Sequence, residues 1–188
     1  MSNEYKDWER DRIEEEKQVV AEYPFLRLRD IDGTICEDDD FPMIGLEIPN
    51  GWYKVFFQMC DDIKPILERE GVLDTFYFIQ VKEKYNTLRC YHNGAPKEVE
   101  DIISKYEMMA YYICTVCGKP ATCETTGYWT SFCDDCWKDH VRHLPIEWIK
   151  FKPYYKVSGY GKDNHYTCYI SFENEWNRYL KENGYDQI

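Results

Sequence analysis

Two CxxC pairs, Cys114/Cys117 and Cys133/Cys136, stand fifteen residues apart near the middle of this chain. Nothing else in the sequence limits the fold as sharply. Each pair presents two thiolates from one tight turn, and the intervening segment is long enough to fold back and bring four sulfurs into a tetrahedron around one ion. The filler agrees with this. Gly118 can take the positive φ of a knuckle turn, and Lys119-Pro120 stops any helix. Ala121 to Glu124 and Tyr128 to Phe132 predict a short hairpin about Thr125-Thr126-Gly127, and the residues from Cys133 to Leu144 predict a short helix. Knuckle, hairpin and helix in that order describe a treble-clef-like finger, with Cys114, Cys117, Cys133 and Cys136 as ligands of a structural Zn2+. Two disulfides are the competing reading, but they need an oxidising compartment, and nothing like a secretory signal opens the sequence. A redox-active CxxC needs only one pair. Cys36, Cys60, Cys90, Cys123 and Cys168 are expected as unpaired buried thiols.

The 188 residues suit one domain with at most a small appendage. The expected class is α+β: a small antiparallel sheet of hairpins packed on helices, with the finger attached. Residues 1–113 form the α+β part, 114–144 the finger and 145–188 a C-terminal hairpin and helix, all packed into one globule. A 44% hydrophobic content supports a core, while no apolar run approaches the ~20 residues of a membrane span. The cytoplasm of a bacterial host cell is the expected location. A formal charge of −12 argues against general affinity for nucleic acid, because that affinity rests on basic surface that releases counterions. A zinc-finger regulator of nucleic acid is therefore the weaker alternative and would need a local basic site.

Before the finger, Asn3 to Glu22 is charge-dense with a weak apolar stripe, Tyr5, Trp8, Ile13 and Val19-Val20, and predicts a helix stopped by Tyr23-Pro24. Phe25 to Gly51, interrupted by Pro42 and Pro49, predicts a surface wrap with little regular structure. Trp52 to Glu70 predicts a helix capped by Gly71, with Pro65 kinking or splitting it. Thr75 to Tyr85 and Leu88 to His92 predict strands about a turn at Asn86-Thr87, and Lys97 to Ile113 predicts the clearest helix. Beyond the finger, Tyr154 to Ser158 and His165 to Phe172 predict a hairpin, and Asn174 to Asn183 a last helix ending at Gly184.

With a two-residue turn at Asn86-Thr87, Tyr85 faces Leu88, Lys84 faces Arg89 and Lys82 faces Tyr91. Lys82, Lys84, Arg89 and Tyr91 then share one sheet face. Like charges across a strand pair cost energy unless an anion or water relieves them, so this cluster is the candidate site for a phosphate, a carboxylate or an acidic partner. The plainer reading is a solvated face whose cations pair with nearby acids.

Several runs together carry a resemblance: Ile48-Pro49-Asn50-Gly51-Trp52, Gln58-Met59-Cys60, Val81-Lys82-Glu83-Lys84-Tyr85 with Leu88-Arg89 and Tyr91, Lys105-Tyr106-Glu107, the first CxxC, and Gly127-Tyr128-Trp129 before the second. Over about residues 23–137 the chain resembles a family of small proteins with zinc-ribbon or treble-clef units found in phages, prophages and gut bacteria. It departs from that family at the turn, where Asn86 stands in place of a glycine. The resemblance implies a habitat, a phage or mobile element, and with a closed four-sulfur site the expectation is a non-enzymatic accessory protein that binds a host protein, or a small anionic or nucleotide signal molecule, and so counteracts host defence.

One enzymatic alternative is written in the sequence. Asp30-Ile31-Asp32-Gly33-Thr34 matches the nucleophile motif of magnesium-dependent phosphohydrolases, in which one Asp attacks phosphorus and the other handles the proton. That motif works at the end of a buried parallel strand. The preceding Leu26-Arg27-Leu28-Arg29 alternates, and no series of strand and helix units follows, so a chance match is the expectation.

Overall fold

The computed structural model describes residues 3–37, 40–125, 129–140, 149–151 and 172–185. Helix α1 (Asn3–Glu22) ends where Tyr23-Pro24 stops it, and a 3-10 turn at Pro24–Leu26 drives Phe25 and Leu26 into the core. The wrap that follows is held by two isolated bridges, Arg27 with Met43 and Arg29 with Ile35. It then contributes a strand absent from the sequence-based expectation: β1 (Leu46–Glu47) pairs in parallel with a later strand, Leu46 beside Val81 and Glu47 beside Lys82. Two residues between Gly45 and Ile48-Pro49 are too few for an alternating pattern to show.

Helix α2 (Tyr53–Arg69) buries Val55, Phe56, Met59, Cys60, Ile63, Ile66 and Leu67 along one stripe. Pro65 lies inside the helix and does not split it. The stripe continues through Ile66 and Leu67, and burial of that order offsets the ~3 kcal/mol that an internal proline costs. Gly71, at φ +68, closes the helix: its N–H donates to the Glu68 carbonyl, and the Val72 N–H to the Leu67 carbonyl.

Strands β2 (Phe78–Lys84) and β3 (Thr87–His92) form the predicted hairpin with a corrected register. The turn is Tyr85-Asn86, both at positive φ (54° and 60°), one residue ahead of the predicted Asn86-Thr87. Lys84 pairs with Thr87, Lys82 with Arg89 and Gln80 with Tyr91. Moving the turn by one residue changes partners without exchanging faces, so Lys82, Lys84, Arg89 and Tyr91 still share the outer face, while Val81, Leu88 and Cys90 are buried beneath it. The sheet order is β1-β2-β3. Helix α3 (Lys97–Ala110) packs on α2 and β3 through Val99, Ile103, Tyr106 and Met109, and the Glu107 carboxylate accepts the Cys90 N–H at 2.7 Å on the outer edge of β3.

The second sheet has the order β5-β4-β6, from β4 (Cys123–Thr125), β5 (Ser131–Phe132) and β6 (Ile149–Phe151), with the short α4 (Asp134–His140) after β5. The hairpin and helix were foreseen; β6, antiparallel to β4, was not. The predicted hairpin over 154–158 and 165–172 lies outside the described residues except for Phe172, which is buried. Helix α5 (Glu173–Glu182) adds Trp176 and Tyr179 to the same core as α2 and α3, and Gly184 at φ +69 closes it. Arg178 bonds the Asp62 carboxylate at 2.6 Å, the Tyr106 hydroxyl donates to that carboxylate at 2.6 Å, and Lys105 pairs with Glu175 at 2.8 Å.

Candidate metal centre and the groove beside it

The sulfurs of Cys114, Cys117, Cys133 and Cys136 all lie within 4.8 Å of one another. Four ligands at a zinc–sulfur distance of ~2.3 Å have tetrahedral edges of about 3.8 Å, so the cluster matches the size of such a site. The Cys117 and Cys133 sulfurs are 3.5 Å apart, far beyond the ~2.0 Å of a disulfide, and all four thiols are free. The group can hold a metal ion, and its four protein donors would close the coordination sphere.

Local sequence builds the first knuckle. After α3 ends, Ile113 bridges Pro120, the Cys114 N–H donates to the Lys119 carbonyl at 2.7 Å, and the Gly118 N–H returns to the Cys114 carbonyl at 3.0 Å. Gly118 sits at φ +81, and a Cβ there would come within 2.9 Å of the Gly51 carbonyl oxygen. Gly51 answers from the 3-10 turn Asn50–Trp52: its own Cβ would fall 2.0 Å from the Cys114 oxygen, and its N–H donates to the Thr115 carbonyl at 2.9 Å. Trp52, fully buried, donates its indole N–H to the Ile113 carbonyl. The knuckle is thus pressed backbone to backbone against the main core. From the other side α5 closes over it, with the Tyr179 hydroxyl donating to the Gly118 carbonyl at 2.6 Å. The second pair begins as β5 ends, and Thr122 to Asp134 (2.6 Å) and Lys119 to Asp135 (2.9 Å) tie it to the first.

The thiols differ in their surroundings. Burial pushes Cys114 up to about 11 and, together with the Cys117 thiol beside it, drives Cys136 higher still. Burial also works against the Cys117 thiolate, but the Lys119 N–H and the neighbouring thiols donate to it, and its net shift is downward. A metal ion requires all four as thiolates, so its own charge would have to overcome the burial of Cys114 and Cys136.

Asn86 connects this unit to the first sheet. At the hairpin tip it is 1% exposed; its amide donates to the Ser131 hydroxyl at 2.7 Å and accepts the Ser131 N–H at 3.0 Å. Ser131 in turn donates to the Tyr111 carbonyl, and its own carbonyl receives the Thr115 N–H and hydroxyl. The sequence marks Asn86 only as a turn residue. Its second role depends on Ser131, 45 residues away in the sequence, which meets it from β5.

Around this junction runs an open groove of about 590 Å³. Leu46, Glu47, Ile48 and Pro49 form one wall, Thr115 and Val116 of the knuckle another, and Trp129 with Thr130 a third, while Glu83 and Asn86 reach it from the hairpin. Trp129 is 53% exposed and Glu47 lies open to solvent. Sequence reasoning missed Glu47, Glu83 and Val116 here, and named Trp129 only within the resemblance.

The basic face is less concentrated than its sequence suggests. The Lys82 ammonium lies 5.4 Å from the Tyr91 ring centroid, Lys84 lies 5.6 Å from that of Tyr85, and Arg89 is 3.9 Å from Glu107. The Asp30 motif occupies an exposed turn between the two bridged segments of the wrap, where its carboxylate accepts the N–H groups of Asp32 (3.0 Å) and Thr34 (2.9 Å). That is a turn-capping role, away from any buried strand end. No described helix is long and apolar enough to cross a membrane. Comparison with protein-family models, curated proteins and solved structures returned no match.

Proposed function

We propose that this chain is a non-enzymatic binding protein of the phage-accessory kind, in which Cys114, Cys117, Cys133 and Cys136 hold a structural Zn2+ and the adjoining surface engages a host protein in the bacterial cytoplasm, to the detriment of host defence. The observation that carries this reading is the contact between cluster and groove: Thr115 and Val116, inside the first knuckle, are also a groove wall. A metal ringed by four thiolates offers no open position to a substrate, so its contribution is to hold the wall in shape. The habitat comes from the resemblance over residues 23–137.

The test is affinity capture from a bacterial host lysate with the wild-type chain and with a Cys114→Ser, Cys117→Ser variant. One defined protein retained by the first and lost from the second supports the reading; a zinc-loaded wild-type chain that retains nothing refutes it.

A small anionic ligand or nucleotide on the hairpin is a second reading, favoured by one observation. Lys82 lies directly opposite Arg89, a like-charge pair that an anion would relieve, with Tyr91 beside it as a stacking surface. Thermal shift with a nucleotide panel, compared between wild type and Lys84→Glu/Arg89→Glu, decides it: no shift in the wild type returns the face to solvent.

A further inference from the structure

We infer that the groove between β1, the first knuckle and Trp129 is a docking site for a basic, extended segment of a partner protein; this rests on the binding reading above and names its occupant. The groove's charged lining residues among those described, Glu47 and Glu83, are both acidic, in a chain of net charge −12. An anion would meet two carboxylates there, whereas a lysine or arginine meets complementary charge.

Neither acid is paired with a cation among the described residues. Glu47 accepts a neutral hydrogen bond from the Gln80 amide at 3.0 Å, and Glu83 accepts the Asn86 N–H at 2.6 Å. Each therefore keeps acceptor capacity for an incoming ammonium or guanidinium. Lys82, beside Glu47 in the parallel register, has its ammonium over the Tyr91 ring. The apolar wall suits the same occupant. Trp129 and Val116 are exposed large apolar side chains, at 53% and 36%, and an indole face holds the stem and the charge of a basic side chain alike.

The backbone favours an extended shape. β1 is one of the two edge strands of the order β1-β2-β3, and its residues Leu46 and Glu47 both line the groove. A segment lying along that edge would alternate its side chains between the apolar wall and the two carboxylates.

The experiment titrates a fluorescent peptide alternating lysine with valine, and its glutamate counterpart, into the full chain at low and physiological salt. The lysine peptide is expected to bind at least about tenfold more tightly than the glutamate peptide, with Glu47→Lys and Trp129→Ala each weakening it about tenfold. Glu68→Lys makes the same charge change on an exposed part of α2 that does not line the groove, and should stay within about twofold at physiological salt. Equal losses in Glu47→Lys and Glu68→Lys would reduce the effect to bulk attraction and overturn the proposal, as would absent binding or absent discrimination between the peptides. Both groove residues are exposed, so the variants should keep the wild-type melting temperature; should Trp129→Ala fail to fold, Glu47→Lys with Glu83→Gln completes the comparison. A host protein that wild type captures and Glu47→Lys still retains overturns the groove while leaving the binding reading intact.

Discussion

Replacing Gly51 with alanine tests the joint on which the metal unit sits. The added Cβ would lie 2.0 Å from the Cys114 carbonyl oxygen, 2.7 Å from the Gly118 nitrogen and 2.8 Å from the Thr115 carbonyl carbon. All three are backbone atoms, so no rotamer change relieves the clash and the turn and knuckle must part by more than about 1 Å. Forced overpacking of this kind costs roughly 1–3 kcal/mol. The separation also breaks the Gly51 N–H bond to the Thr115 carbonyl, which adds roughly 1–3 kcal/mol if the donor stays buried. The total of about 2–6 kcal/mol is a large part of the 5–15 that holds an ordinary domain together. At about 2–4 °C per kcal/mol for a domain of this size, the melting temperature should fall on the order of 5–20 °C. The assay is thermal denaturation of metal-loaded protein, with zinc stoichiometry measured on the same samples. Gly45→Ala is the control, because nothing lies within 4 Å of its added Cβ. A Gly51→Ala protein that melts within about 2 °C of wild type, with its metal in place, would refute the reasoning.

Three further outcomes are expected. Asn86→Gly keeps the positive-φ turn but removes both bonds to Ser131, and should cost about 1–3 kcal/mol in urea denaturation; Asn86→Ala adds left-handed strain of about 1 kcal/mol more, so equal stabilities for the two would sink the turn assignment. Burial raises the Glu107 carboxyl above its ordinary range despite the Cys90 N–H and the Arg89 guanidinium. The folded state therefore binds the proton more readily than the unfolded one, and this contribution, full at low pH, is lost as pH rises through the folded-state pKa. Glu107→Gln, which can still accept the Cys90 N–H, should exceed wild type in stability at neutral pH and lose that advantage near pH ~4; a flat difference across that range would contradict it. Elemental analysis should return one zinc per chain, and a chelator should remove on the order of 10 kcal/mol of stabilisation and unfold the finger; an unchanged melting curve in the chelator would exclude a structural ion.

The four-cysteine cluster was legible because its chemistry is local: two CxxC turns and a spacing specify it with no knowledge of the rest. The long helices were legible for a similar reason, since α2 and α3 carry their buried residues at helical spacing and Gly71 closes α2 with its own backbone signal. The basic face survived a wrong register because strand parity is conserved when a turn moves by one residue. What stayed hidden was set by distant partners. β1 is a strand only because Val81 and Lys82 lie beside it, β6 because β4 offers an edge, and Asn86 is a joint only because Ser131 meets it. The groove combines β1, Asn86 and the first knuckle, so no window of sequence contains it. At Pro65 a local rule argued for a kink or a split, and tertiary burial on both sides of the proline keeps the helix unsplit.

The latch from Tyr179 to Gly118 has a consequence for the order of assembly. A ribosome delivers both cysteine pairs well before the tyrosine that closes over the first of them. A metal ion held by the four cysteines would therefore enter while that side is uncovered, and the late arrival of α5 would then cover the knuckle and oppose its loss.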